Sequence, residues 1–80
     1  MHSDIQHIIE LWKQDAGLKY RNPVVIHIDD KNLWVITERP GWMIGRHGDL
    51  VDRYKEILKE NGYNLRIRFV EFGYKAVDEF

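Results

Sequence analysis

Two strand-like runs, "LWVITE" at 33–38 and "YNLRIRFVEF" at 63–72, are separated by a stretch whose apolar residues recur with a helical period. That spacing decides much of the topology. Strands joined by a tight turn pair antiparallel. Strands joined through a helix need a crossover, pair parallel, and make that crossover right-handed in nearly all cases. Just upstream, "PVVIHID" at 23–29 is β-branched and alternating, and the turn "DDKN" links it directly to "LWVITE". This short connection makes the first pair an antiparallel hairpin. The chain is therefore expected to build an α+β fold: a three-stranded mixed sheet with its helices packed on one face.

The first helix is read from "SDIQHIIELWKQDAG". Ile5, Ile8, Ile9, Trp12 and Ala16 fall on one face of a 3.6 repeat, and Leu11 widens the stripe. Ser3 with Gln6 fits a capping box, and Gly17 is a stop. A second helical pattern runs from Asp49 to about Asn61, with Leu50, Val51, Tyr54, Ile57 and Leu58 on its apolar face and Gly62 as its C-terminal cap. Between the hairpin and this helix, "RPG" ends the second strand, because Pro40 cannot continue a ladder. In the first strand Val24, Ile26 and Ile28 share a side, with Val25, His27 and Asp29 opposite. For the second strand both parities are open, Leu33 and Val35 inward or Trp34 and Ile36 inward. In the third, Leu65, Ile67 and Phe69 point inward, with Arg66 and Arg68 outward. Residues 1–72 read as a single domain. The tail "GYKAVDEF" at 73–80 has no clear period, docked on the sheet or mobile.

Composition excludes several classes of function. With no cysteine there is no disulfide, Cys-ligated zinc or thiol nucleophile. The four histidines, at positions 2, 7, 27 and 47, show no i, i+4 pair and no converging acidic cluster, so no metal site or cofactor is expected. One serine and one threonine leave no readable hydrolytic triad, and a non-enzymatic protein is the expectation. No run is long and apolar enough for a membrane span. The opening "MHSDIQ" lacks the basic and apolar regions of a signal peptide, so the cytoplasm is the expected location. Twelve Lys and Arg against thirteen Asp and Glu give a net charge of −1. A protein that coats nucleic acid nonspecifically is basic, so any nucleic-acid contact here must be local.

One segment offers such a patch. In "PGWMIGRHGDLVDRY" (40–54), Gly45 and Gly48 frame Arg46 and His47 immediately before a helix. Glycines at this spacing permit positive φ and remove Cβ atoms, so another backbone can approach. The first N–H groups of the following helix are unpaired and carry the positive end of its dipole. Arg46 supplies a fork matched to phosphate, and His47 a donor that becomes cationic when protonated. Asp49 opposes this by offering a carboxylate at the same place, most simply as an N-cap. The segment lacks the G-K-[ST] ending of a Walker loop.

"TERPGWMIGRHGDLVDRYKEIL" resembles the signature of a KH domain, in which an apolar I-G-x-x-G loop joins two helices. "RPG" and the helix-strand-strand-helix-helix-strand order resemble the type II, prokaryotic form found in a bacterial small-subunit ribosomal protein. The resemblance spans about residues 3–72 and is specific at motif level over 37–58. It implies a site for about four nucleotides of single strand, clamped at the backbone by the loop. RNA is implied ahead of single-stranded DNA. Gly45, Arg46, His47 and Gly48 would be the clamp and Ile44 the groove floor. The strand from Leu65 to Phe69 would be the facing wall, which brings in Ile67 and Arg68, with Arg68 towards the rim or the back. Arg39 adds charge beside the loop. Trp42 either stacks on a base or packs between the short helix and the first helix. With about three phosphate contacts, the single-strand salt slope should be only about −2. A second reading takes the open sheet face as a surface for a protein partner or for self-association.

Overall fold

The computed structural model describes residues 4–18 and 23–72, together with the backbone of 76–79. Along the chain run α1 (Ile5–Asp15), β1 (Val24–Asp29), β2 (Asn32–Thr37), α2 (Pro40–Ile44), a single 3-10 turn (Arg46–Gly48), α3 (Asp49–Glu60), β3 (Arg66–Glu71) and β4 (Ala76–Glu79).

Helix α1 starts at Asp4, whose carboxylate accepts from the Gln6 N–H at 3.1 Å. Asp4 thus takes the capping place assigned to Ser3, which lies outside the described residues. Gly17, at φ 81°, ends the helix in a Schellman motif: Leu18 N–H donates to Lys13 O and Gly17 N–H to Gln14 O. Gly62 ends α3 in the same way, through Tyr63 N–H to Leu58 O and Gly62 N–H to Lys59 O.

The sheet is mixed. β1 and β2 pair antiparallel around the two-residue turn Asp30–Lys31, while β2 and β3 pair parallel, Leu33 against Ile67 and Val35 against Phe69. To the three expected strands the structure adds a fourth, β4, antiparallel to β3 with an irregularity at Phe69/Val70. Part of the tail is therefore docked; residues 73–75 and 80 lie outside the described residues. A four-residue edge strand with two acidic positions is too short to show a period.

The parity left open for β2 is resolved by burial. Leu33, Val35 and Thr37 are inaccessible and face the helices, and Trp34 and Ile36 are half-buried on the far side. Against them pack Ile8, Ile9 and Trp12 of α1, Met43 of α2, and Val51, Tyr54 and Leu58 of α3. Two apolar residues depart from expectation. Leu11 is 40% exposed, so the buried stripe of α1 is narrower than its apolar pattern, and Ile28 is 44% exposed at the end of β1 despite its core-side parity.

Trp12 is the hub. Its ring stacks on Tyr54 at 5.3 Å and meets Phe69 edge-on at 5.8 Å, and such pairs add about 0.5–1.5 kcal/mol each beyond the area they bury. Its indole N–H donates to the Met43 carbonyl at 2.8 Å in the interior, which ties α1 to the end of α2. The Tyr54 hydroxyl donates to the Asp15 carboxylate. Burial, with that hydrogen bond and the Asp15 charge behind it, pushes the Tyr54 phenol up to about 12. No helix among the described residues is long and apolar enough to cross a membrane.

Candidate nucleic-acid interface

Pro40 opens α2 at its first position, where a missing N–H costs nothing. The helix lasts only five residues and stops at Gly45, whose N–H closes on Gly41 O at 3.0 Å. Gly45 then takes φ 81°, ψ 173°, a region essentially confined to glycine. A Cβ there would sit 2.7 Å from Leu50 Cβ and 3.0 Å from Leu50 N. The glycine is what lets the chain lie directly against the first turn of α3. The turn closes with Gly48 N–H on Gly45 O at 3.2 Å, and Gly48 sits in the left-handed region at φ 76°.

Between the glycines, Arg46 and His47 are both exposed. His47 is itself left-handed, at φ 56°, ψ 23°. A non-glycine residue there costs about 1–2 kcal/mol, least for residues such as His, Asn and Asp. An exposed position is normally indifferent to substitution, but this one should not be. His47→Ile is expected to lower stability by about 1–2 kcal/mol in urea unfolding, whereas His47→Asn leaves it nearly unchanged. Equal midpoints for the two variants would contradict this account of the loop.

Gly48 is the N-cap of α3, and no side chain caps the helix. Asp49 is therefore not the N-cap expected of it. It occupies the first helical position, one residue too late to fold back onto the opening amides, and joins Asp52 as an acidic residue of the first turn. There it suits the helix dipole and competes with any incoming anion.

Around the loop the structure brings together Arg39, Trp42 and Ile44. Ile44 is half-buried against the core. Trp42 is 50% exposed, with the Arg39 guanidinium 5.5 Å from its ring centre. Trp42 lies outside the core cluster. On so short a helix one residue per turn faces inward, and Met43 holds that place with no exposed surface.

The two residues proposed from β3 do not join this group. Ile67 has no accessible surface and lies in the core layer against Leu33, so it supports the site without touching a ligand. Alternation sends Arg68 to the opposite face of the sheet, where its guanidinium lies 4.6 Å over Trp34. Sequence reasoning did not find the contact between Gly45 and Leu50 or the bond from Trp12 to Met43, since each joins positions that no local pattern links. At the ends of β2 and β3 lies a cleft of about 270 Å³ lined by Glu38, Arg39, Glu71 and Phe72. Its two carboxylates disfavour an anion there.

No protein-family model, curated protein or solved structure matches the chain.

Proposed function

We propose that the chain is a type II KH-like domain that binds single-stranded nucleic acid, RNA ahead of DNA, as a non-enzymatic accessory factor. The observation that carries this reading is the Gly45–Gly48 turn. It exposes Arg46 and His47 at its tip, before a helix whose opening amides no side chain caps. The two side chains and the amides beyond Asp49, whose own N–H is bonded to Arg46 O, are the donors such a reading assigns to a phosphate. The order of elements around the turn supports the same reading, with α2 before it, α3 after it, and β3 parallel to β2. Arg39 and Trp42 flank the turn as a further charge and an aromatic surface suited to stacking.

Titration of the isotopically labelled protein with short single-stranded RNA and DNA tests this. Amide shifts are expected to concentrate from Ile44 to Asp49, and affinity to fall about fifteenfold between 50 and 200 mM salt, as about three phosphate contacts imply. Arg46→Asp with His47→Asp should abolish binding and leave the amide spectrum folded, because both side chains are exposed and Asp tolerates the left-handed region. If no oligonucleotide moves the loop at low salt, the proposal fails.

A further inference from the structure

The helices cover one face of the sheet, and the strand register arranges the other into three rows. Val25, Ile36 and Val70 form an aliphatic row, in which Val25 is 48% exposed. Next to it run His27, Trp34 and Arg68, and then Asp29, Asn32 and Arg66. The middle of this face is already held in place. Trp34 donates its indole N–H to Asp29 Oδ2 at 2.9 Å and lies beneath the Arg68 guanidinium, while Asn32 donates to Asp29 Oδ1 at 3.0 Å. Its indole N–H is satisfied within the face, so burying the ring leaves no donor stranded and little side-chain freedom to lose.

We propose that this open face is where two copies of the chain meet, about a two-fold axis running along β2, with β1 of each copy over β3 of the other. The face is complementary to itself in that orientation. The aliphatic row meets an aliphatic row, Val25 over Val70 and Ile36 over Ile36, and at the far end Asp29 lies over Arg66 twice. Arg66 is exposed and makes no ion pair among the described residues. The hydrogen bonds from Trp34 and then Asn32 hold the Asp29 carboxyl below the usual carboxylate range, which keeps it anionic opposite that arginine. An axis across the strands would instead set the aliphatic row over the charged one. A two-fold contact requires such self-complementarity, and charge pairing fixes its register.

The three strands that overlap, of six residues each, span about 14 by 20 Å, roughly a third of the area per partner of a standard stable interface. The dimer is therefore weak and depends on concentration. A nucleic-acid strand is the poorer occupant, since the aliphatic row offers phosphate no donor and Asp29 repels it.

Sedimentation velocity from low micromolar to millimolar protein tests the proposal without reference to nucleic acid. The wild-type coefficient is expected to rise with concentration. Arg66→Glu sets carboxylate against carboxylate in both pairs and should weaken association at least about tenfold. Asp29→Asn with Arg66→Glu removes the like-charge repulsion while keeping an acceptor for the Trp34 indole, and should recover part of the association. A strict monomer at millimolar concentration overturns the proposal, as does association indifferent to Arg66→Glu. A folded double variant that stays as weak as Arg66→Glu overturns the orientation. Oligonucleotide shifts centred on Val25, Trp34 and Val70 would assign the face to nucleic acid instead.

Discussion

Gly45→Ala is expected to cost about 2–6 kcal/mol, and Gly48→Ala about 1 kcal/mol, although the two glycines belong to one four-residue turn. The difference follows from what each residue touches. At Gly45, φ 81° with ψ 173° is a backbone that alanine adopts only at about 1–3 kcal/mol. The added Cβ would then press 2.7 Å from Leu50 Cβ and 3.0 Å from a backbone nitrogen. Neither neighbour is the free end of a side chain, so the start of α3 must move, at about the 1–3 kcal/mol typical of overpacking. At Gly48, φ 76° with ψ 12° is ordinary left-handed backbone, and the nearest atom to a new Cβ is Val51 Cγ1 at 3.8 Å. Alanine there loses about 1–2 kcal/mol to conformation and regains some by restricting the unfolded chain. A domain of this size holds only about 4–12 kcal/mol in all, so Gly45→Ala should remove much of it. Urea unfolding of the two variants side by side measures the contrast. Equal losses would mean that Gly45 is not wedged against α3.

The same turn marks how far the sequence could be read. Its glycine spacing, the proline before it and the helical period after it are local, and each element appears where those signals place it. The inward parity of β3 was equally legible, because charged Arg66 and Arg68 alternate with Ile67 and Phe69. β2 was not, since Leu33, Trp34, Val35 and Ile36 are all apolar and alternation alone cannot choose between its faces. Tertiary packing chose, with Leu33 and Val35 under the helices and Trp34 left to bond with Asp29 across the hairpin. Ile67 shows the complementary error. A residue on the wall of an expected groove need not reach its surface, and here it is entirely enclosed. Trp12 was legible from its place on the apolar face of α1 and is the centre of the core, whereas Trp42, on a helix too short to show a period, is half exposed beside the loop.

Trp12→Phe should loosen the loop from a distance. The indole N–H is the buried partner of the Met43 carbonyl, and Met43 stands two residues before Gly45. Phenylalanine preserves an aromatic against Tyr54 and Phe69 but cannot donate, so that carbonyl is left unsatisfied at about 1–3 kcal/mol, and the smaller ring leaves a void as well. Trp12→Ala removes the stacked and edge contacts too, and should cost about 3–5 kcal/mol, close to unfolding a domain of this size. The milder variant is the more informative because the damage has a place. Amide hydrogen exchange should quicken from Met43 to Gly48 well beyond the change at Val35 or Phe69, since only the end of α2 loses its tether to α1. If the Gly45–Gly48 turn binds a nucleic-acid backbone, oligonucleotide affinity should fall in Trp12→Phe under conditions where the protein remains folded, because a clamp that must first be ordered binds less tightly. Uniformly faster exchange across sheet and loop would show Trp12 to be a packing residue alone, with no hold on the geometry of the turn.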